Sequence, residues 1–376
     1  MINRPHWLKS IDEAWTRRRV VWLSGVRRAG KTTLARMLPD AVYMNCDLPS
    51  VCRALSEPEP FLDSLPDNAT VIFDEIHRLD DPSNVLKIAA DVYPHLKVLA
   101  TGSSTLAATK KFRDSLTGRK QVIYLPPVLW EECLGPFGVM DLDRRLLHGG
   151  LPEPLLASEK RPSFFSEWMD SYYARDIQEL FGIRNRAGFL KLLQLLLRQS
   201  GGQLDYTKLA RLCGLSRPTT TTHVEALRIA HAVYLLPPFH GGGRREITRM
   251  PKCYAFDTGF VTFEKGWDSI RDDDLGPLWE HLVLDSLRSG QERGRIYYWR
   301  DKSNREIDFV LKRSGHYVDA IECKIDPDSF DPGNLSAFRA LYPKGSNYVV
   351  SPRVKTPYGR KYDALPVKFL QSTMNI

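Results

Sequence analysis

The sequence contains no cysteine or histidine pattern typical of a metal site or a disulfide framework. Its six cysteines are scattered along 376 residues, with no C-x-x-C motif and no pair of histidines at ligand spacing. A structural zinc site is therefore not expected. Reduced thiols, as in the cytosol, are the simplest interpretation.

Long apolar segments are also missing. The longest, LKLLQLLL at residues 190–197, is far shorter than the roughly 18–20 residues needed to cross a bilayer. The first residues, MINRPHWLKSIDEAWTRRR, have no apolar core of the kind found in a secretory signal. We therefore expect a cytoplasmic protein without a membrane partner.

The chain carries more basic than acidic side chains. Lys and Arg number 53 against 45 Asp and Glu, which gives a net charge of +8. This excess suits a polyanion partner, although many basic proteins bind no nucleic acid. The length exceeds what one hydrophobic core usually fills, so two or three domains are expected.

The predicted secondary structure divides the chain into three successive regions. Short β-branched runs such as RRRVVWLSG and TVIFDE alternate with helical segments, including KTTLARMLPD, and predict a mostly parallel sheet with functional loops at the strand ends. Helical spacing then dominates from about residue 140, and strands mix with helices again from about residue 259. These changes predict domains at residues 1–140, 141–258 and 259–376.

The segment GVRRAGKTT, residues 25–33, matches G-x-x-x-x-G-K-[ST] between a predicted strand and a predicted helix. Gly25 and Gly30 let backbone amides face the β-phosphate, Lys31 reaches the β- and γ-phosphate oxygens, and the Thr32 hydroxyl binds Mg²⁺. The predicted nucleotide contacts are Gly25, Arg28, Ala29, Gly30, Lys31, Thr32, Thr33, Asp74 and Ser103. The predicted cofactors are ATP and Mg²⁺.

The segment VIFDE, residues 71–75, supplies a pair of acids at the end of an apolar strand. Asp74 is placed to hold Mg²⁺ through water, and Glu75 to polarise the attacking water. Because this pair follows a phosphate loop by about forty residues, it favours ATP hydrolysis over nucleotide binding alone.

Two further segments offer candidates for the same site. VLATGSS ends in Ser103 and Ser104, either of which could sense the γ-phosphate or simply cap a strand. LTGRKQVIYL contains Arg119, which could stabilise transition-state charge in its own or a neighbouring subunit, or be a solvated arginine.

The segment DYTKLARLCGLSRPTTTTHVEALRIA, residues 205–230, is typical of a helix-turn-helix. Asp205 and Ser216 are predicted helix caps, and Gly214 the turn. The predicted nucleic-acid contacts are Arg217, Thr219 and Thr220 at the start of the second helix, and Arg244, Arg245, Arg249 and Lys252 in a basic wing. The alternative is a helix-turn-helix used only for packing or subunit contact.

Taken together, the sequence resembles a family of prokaryotic AAA-type ATPases in which a P-loop core precedes a winged-helix segment and a restriction-endonuclease-like domain. The matching segments, in the family's order, are GVRRAGKTTL, VIFDEIHRL, LATGSS, LTGR, GGLPEPL, YYARDI, YAFDTGF, LWEHLVLDSL, EIDFVL and IECK. The resemblance implies an α/β protein: a parallel-sheet ATPase core, a helical and winged-helix domain, and a small endonuclease-like α/β domain.

The C-terminal hairpin NREIDFVLKRSGHYVDAIECK raises a question of register. A three-residue loop centred on Gly315 places Asp308 across from Glu322, whereas a two-residue loop pairs Asp308 with Ile321. In the first register the resemblance implies a D…ExK site in which Asp308 and Glu322 bind Mg²⁺ and Lys324 activates water. Glu280, in LWEHLVL, matches an additional acidic ligand.

Three functions follow. The first is an ATPase whose hydrolysis changes how its winged helix and nuclease-like domain engage duplex or branched DNA, with a homo-oligomer conceivable. The second is a regulatory ATPase switch that recruits a protein partner and keeps a catalytically silent nuclease-like platform. The third is a metal-dependent nuclease whose ATPase only gates assembly.

Overall fold

A computed structural model gives the structure of the chain. It describes residues 2–102, 110–178, 181–241, 250–290, 296–313, 316–359 and 362–367. The chain packs as two compact units. The first comprises Met1–Pro127, Met169–Gly182 and Ile229–His231, and the second comprises Val128–Trp168, Ile183–Arg228 and Ala232–Ile376. Part of the predicted second domain thus packs within the first unit.

The first unit is built around a five-stranded parallel sheet with the order β2-β3-β4-β1-β5. Its strands are β1 (Val20–Ser24), β2 (Ala41–Asn45), β3 (Thr70–Asp74), β4 (Lys97–Thr101) and β5 (Lys120–Tyr124). Its helices are α1 (Pro5–Arg17), α2 (Lys31–Ala35), α3 (Pro49–Ala54), α4 (Pro58–Asp63), α5 (Pro82–Asp91) and α6 (Lys110–Leu116). A 3₁₀ turn, Ile76–Arg78, and a π-helical turn, Tyr173–Gln178, complete it.

Burial explains why these strands form. All five residues of β1 are buried, as are the last four of β3 and β4. Trp22 of β1 and Phe73 of β3 are completely buried in the same core, as expected for a parallel sheet covered on both faces.

The helix after the phosphate loop is shorter than the pattern KTTLARMLPD predicts. Only Lys31–Ala35 is α-helical, and Asp40 takes a left-handed conformation with φ 51°. Pro39 disfavours helical backbone at the residue before it, which contributes to this early end.

The second unit contains the remaining regular elements. Its helices are α7 (Trp130–Leu134), α8 (Leu142–His148), α9 (Pro152–Leu156), α10 (Pro162–Tyr172, whose last turn enters the first unit), α11 (Arg186–Arg198), α12 (Tyr206–Cys213), α13 (Arg217–Ile229), α14 (Thr258–Glu264), α15 (Asp272–Gly290) and α16 (Gly333–Leu341). Its strands are β6 (Gly202–Gln203), β7 (Val233–Leu236), β8 (Lys252–Ala255), β9 (Ile296–Arg300), β10 (Glu306–Lys312), β11 (Val318–Cys323), β12 (Asn347–Val350), β13 (Tyr358–Gly359) and β14 (Asp363–Leu365). No described helix is long and apolar enough to cross a membrane.

Helices α12 and α13 form around the predicted caps. The Asp205 carboxylate accepts hydrogen bonds from the amides of Thr207 (2.9 Å) and Lys208 (3.0 Å). Gly214 makes the turn with φ 65°, and the Ser216 hydroxyl accepts from the Thr219 amide at 3.2 Å. Strand β6 precedes this pair of helices, strands β7 and β8 follow it, and the three form an antiparallel sheet with the order β6-β8-β7.

A buried polar network explains the segments GGLPEPL and YAFDTGF. Asp257 accepts hydrogen bonds from the amides of Gly150 (2.6 Å) and Gly259 (2.8 Å), so it joins both segments. A Cβ at Gly149 would lie 2.0 Å from the Asp257 carboxylate, which leaves room only for glycine. Arg145 is completely buried and donates to the Thr258 hydroxyl at 3.1 Å. Both segments therefore have a structural role.

The C-terminal strands form a six-stranded mixed sheet with the order β13-β14-β12-β11-β10-β9. Strands β10 and β11 are antiparallel, with Phe309 opposite Ile321. Continued by one residue, this register places Asp308 across from Glu322, as a loop centred on residue 315 requires. Residues 314 and 315 themselves lie outside the described part of the chain.

Candidate functional site

The sheet order brings three strand ends together. Strand β4 lies between β1 and β3 and pairs in parallel with both. The carboxyl ends at Ser24, Asp74 and Thr101 therefore share one edge of the sheet, where ligands bind in open α/β folds.

The phosphate loop, residues 25–33, is held in a conformation that its glycines permit. Gly25 has φ 154°, and a Cβ there would lie 2.4 Å from the Leu125 carbonyl oxygen. Gly30 has φ 95° and precedes α2. The Arg4 guanidinium donates to the Ala29 carbonyl at 3.1 Å, so the residue that precedes helix α1 also supports the loop.

Lys31 lies at the centre of this loop. Its ammonium donates to the carbonyls of Gly25 and Val26, each at 3.0 Å. Burial lowers the pKa of Lys31, and the largest opposing influence on that pKa is the carboxylate of Glu75. A desolvated ammonium held in a glycine-containing loop before a helix is suited to polyphosphate oxygens.

Asp74 is a buried carboxylate surrounded by hydroxyl groups. Thr32 of the phosphate loop donates to it at 3.3 Å, and Tyr43 and Thr101 donate as well. Burial and this hydrogen bond raise the pKa of Tyr43 to about 12. The Thr32 hydroxyl and the Asp74 carboxylate are hard oxygen donors of the kind Mg²⁺ prefers, so the predicted ligand pair fits that cation.

Glu75 follows in an unusual conformation. Its φ of 55° is left-handed, which is rare for a residue other than glycine. Its amide donates to the Thr101 hydroxyl at 3.1 Å, and a carboxylate oxygen lies 3.2 Å from the His77 Nδ1 atom. Burial raises the pKa of Glu75. A carboxylate fixed in this way is suited to orient an attacking water.

Contacts near the site also come from residues that sequence reasoning missed. Asp176, in the π-helical turn, lies 3.7 Å from the Arg27 guanidinium. The His231 Nε2 atom lies 2.8 Å from the Ser24 hydroxyl. No local motif could have identified either contact, since more than 140 residues separate the partners in each.

The remaining candidates for this site fall in different places. Ser103 and Ser104 lie outside the described residues. Arg119 directly precedes β5, whose first residue pairs with Val20, the first residue of β1. At about 3.3 Å per residue, Arg119 therefore lies about 16 Å along the sheet from the phosphate loop. Its guanidinium pairs with the Asp91 carboxylate at 2.6 Å. A role within its own subunit is inconsistent with this position, while a role in a neighbouring subunit stays a prediction.

The predicted DNA contacts include exposed residues, buried residues and residues outside the described part of the chain. Arg217 is exposed at the start of α13, and Thr219 is half-buried, with its hydroxyl 2.7 Å from that of Ser216. Thr220 is completely buried, and its hydroxyl donates to the Ser216 carbonyl. Lys252 is 5% exposed. Neither Thr220 nor Lys252 is therefore available at a surface, and we do not retain them as DNA contacts. Arg244, Arg245 and Arg249 lie outside the described residues.

Strands β10 and β11 bring together the three residues of the predicted D…ExK site. The Asp308 carboxylate accepts a hydrogen bond from the Cys323 amide at 2.8 Å. The Lys324 ammonium lies 3.0 Å from Glu322 and 4.0 Å from Asp308. Burial, and to a smaller extent the nearby Asp308 carboxylate, raises the pKa of Glu322 to about 8. One oxygen of Glu322 is buried without a hydrogen-bond partner.

Glu280 lies beside these residues but has its own partners. Lys252 donates to it at 3.0 Å and also pairs with Glu306, while the Tyr254 hydroxyl donates to the same Glu280 oxygen. Burial, and to a smaller extent the nearby Asp308 carboxylate, raises the pKa of Glu280 to about 7. We call Lys252, Glu280, Glu306, Asp308, Glu322 and Lys324 the carboxylate cluster. Among the described residues, no three acidic, histidine or cysteine side chains are arranged as a metal site.

Comparison with known proteins agrees with the geometry of the phosphate loop. Residues 17–134 match a family described as AAA domain. Residues 139–270 and 275–370 match two families described as domains of unknown function, DUF8612 and DUF4143. The chain is 30% identical over 330 residues to uncharacterized protein Rv2008c of Mycobacterium tuberculosis, covering 84% of this chain and 72% of that protein. The chain belongs to the same family as Rv2008c.

A second relative is archaeal. Uncharacterized protein MJ1544 of Methanocaldococcus jannaschii is 24% identical over 345 residues, covering 83% of this chain and 75% of that protein. Among solved structures, the Thermotoga maritima RuvB Holliday junction branch migration motor aligns with 63% of this chain and 90% of its own, at 19% identity and a TM-score of 0.32. The Pyrococcus horikoshii STAND protein PH0952 aligns with 77% of this chain and 46% of its own, at 15% identity and a TM-score of 0.30.

Proposed function

We propose that this AAA-type ATPase hydrolyses ATP to control how its C-terminal unit engages DNA. The observation that carries the ATPase is the joint position of Lys31, Thr32 and Asp74 at one sheet edge, with Glu75 fixed beside them. Lys31 and the loop amides would bind the phosphates, Thr32 and Asp74 would hold Mg²⁺, and Glu75 would orient water. Bound Mg²⁺ would supply neutralisation of the charge on the phosphates.

The DNA part of the proposal rests on the exposed face of the two capped helices. Lys208, Arg211 and Arg217 are exposed on α12 and α13. Thr221 and Thr222 of α13 are exposed as well, and their hydroxyls donate to the carbonyls of Arg217 and Pro218, which leaves the hydroxyl oxygens as acceptors. Cations and short hydroxyls at the start of a second helix suit phosphates and base edges. The net charge of +8 adds a general attraction to polyanions.

The experiment is an ATPase assay of the purified chain with duplex, single-stranded and four-way DNA, paired with DNA-binding titrations between 50 and 200 mM salt. We expect hydrolysis that Lys31→Ala abolishes, and salt-sensitive DNA binding. Arg217→Ala should weaken that binding and reduce the salt slope by about one. Arg228→Ala is the matched control, since Arg228 lies near the end of α13 and pairs with Glu225.

Absence of DNA binding at every salt concentration, with hydrolysis intact, would instead favour a switch that recruits a protein partner. Unchanged hydrolysis in Lys31→Ala would contradict the ATPase itself.

A second candidate function, metal-dependent DNA cleavage, is favoured by one specific observation. The register of β10 and β11 sets Asp308 across from Glu322, and Lys324 lies within 4.0 Å of both. Cleavage in Mg²⁺ that is lost in Asp308→Ala and Lys324→Ala but survives Glu75→Gln would support a nuclease whose ATPase only gates assembly. Absence of cleavage under all of these conditions would contradict this second function.

A further inference from the structure

The segment YYARDI, residues 172–177, packs against the nucleotide site although it lies about 140 residues further along the chain. Tyr172, Tyr173 and Ile177 are buried within the first unit, with at most 4% of their surface exposed. Residues 173–178 form a π-helical turn, a local distortion that frequently occurs at functional sites. The three buried side chains fix the direction in which the turn presents its polar residues.

One of those polar residues faces the phosphate loop. The Asp176 carboxylate lies 3.7 Å from the Arg27 guanidinium, and its side chain is 19% exposed. Arg27 is the third residue of GVRRAGKTT, between the two glycines that shape the loop. Asp176 is also one of the carboxylates that act against the burial of Lys31 on its pKa. A single negative charge therefore acts on two of the three cations of the loop, Arg27 and Lys31.

We propose that Asp176 is a positioning residue that sets nucleotide affinity, because its carboxylate competes with phosphate oxygens for Arg27 and Lys31. This inference rests on the ATPase function proposed above. A polyphosphate that binds the loop gains attraction from both cations, but it must weaken the pair between Arg27 and Asp176. The π-helical turn thereby becomes sensitive to phosphate at the loop.

The test is equilibrium binding of ADP and ATP to the full chain, with and without Mg²⁺. Asp176→Asn should tighten binding about two- to fivefold, the worth of a partly exposed ion pair. The tighter binding should appear both with and without Mg²⁺, because the Asp176 carboxylate and the phosphate oxygens compete directly for the same cations. Asp176→Glu keeps the charge and should stay near wild type. Glu167→Gln, which neutralises an exposed acid of α10, is the matched control.

A double-mutant cycle assigns the effect to the pair. In the Arg27→Ala background, Asp176→Asn should give a smaller gain than in the wild-type chain, because one of the two competed cations is gone. Unchanged or weaker binding in Asp176→Asn, with an unchanged thermal unfolding profile, would overturn the proposal. Wild-type protein that binds neither nucleotide would overturn the ATPase function itself, and the proposal with it.

Discussion

A carboxylate oxygen of Glu75 lies 3.2 Å from the Nδ1 atom of His77, two residues further along the chain. The Glu75 backbone is left-handed, and its amide is bonded to Thr101. Contacts at both the backbone and the side chain therefore fix this acid. Such fixation matters for a group that orients water, since a displacement of about 1 Å can cost about 100-fold in rate.

The first prediction concerns Glu75→Gln. The amide has nearly the same shape but cannot accept a proton, so we expect ATP binding to change little and turnover to fall at least about 100-fold. Phosphate release and equilibrium nucleotide binding measure the two quantities. Glu57→Gln, at an exposed acid of the same unit, should change neither. Turnover near wild type in Glu75→Gln would contradict the role of Glu75.

The second prediction concerns Thr101, whose hydroxyl donates to Asp74 and accepts from the Glu75 amide. Thr101→Val keeps the shape of the side chain and removes both hydrogen bonds. We expect turnover to fall at least about tenfold and the Mg²⁺ requirement to rise, since the lost hydrogen bond to the Asp74 carboxylate alone is worth about 1.5–3 kcal/mol.

The control for Thr101 is Thr70→Val, at the opposite end of β3, which should leave both turnover and the Mg²⁺ requirement unchanged. If Thr101→Val lowered thermal stability with no change in the Mg²⁺ requirement, Thr101 would have only a structural role.

Local patterns predicted the parts of the site that lie close together in sequence. The phosphate loop, the acid pair and the caps at Asp205 and Ser216 each depend on a few neighbouring residues, whose geometry their spacing determines. The register of β10 and β11 was reduced to two alternatives by the alternation of faces, and the structure takes the one centred on residue 315.

The contacts that sequence reasoning missed all depend on tertiary packing. Tyr43 reaches Asp74 because β2 pairs with β3, and a tyrosine in an apolar run carries no sign of that role. The sequence around Lys252 predicts a basic loop, but Lys252 is the first residue of β8 and is buried against Glu280. A charged residue in a polar segment is usually exposed, so its burial could be known only from the position of the partner carboxylate.

The third prediction is a pH dependence. The pKa of Glu322 is about 8 in the folded protein, well above the value of about 4.3 for an unperturbed glutamate. The folded state therefore holds a proton that the unfolded chain releases. This contribution to stability is fully present below pH of about 4.3 and is lost as the pH rises through 8.

Thermal unfolding between pH 5 and 9 measures this loss. Glu322→Gln remains uncharged throughout, so its unfolding temperature should fall less with rising pH than that of the wild type. Glu159→Gln, at an exposed acid of the same unit, should keep the wild-type slope. Parallel curves for Glu322→Gln and wild type would show that Glu322 is ionised in the folded protein at neutral pH.

The fourth prediction concerns Lys252, whose ammonium lies between Glu280 and Glu306. Burial acts to lower the pKa of Lys252, but the nearby carboxylates raise that pKa by a larger amount. The side chain therefore stays charged. The second proposed function requires a divalent cation in the carboxylate cluster, and a fixed ammonium at this position would oppose that cation. Lys252→Met removes the charge at similar volume, and we expect Mn²⁺ to bind about tenfold more tightly as a result, a change of about 1.4 kcal/mol.

Calorimetric titration with Mn²⁺ measures this change, and Lys302→Met, at an exposed site before β10, is the control. Lys252→Met also leaves Glu280 and Glu306 without their shared partner, so some loss of thermal stability is expected. Added Mn²⁺ should restore that stability only if the cation takes the place of the ammonium. Destabilisation that Mn²⁺ does not reverse would mean that Lys252 serves the fold alone, and the carboxylate cluster would then be a structural ion-pair network.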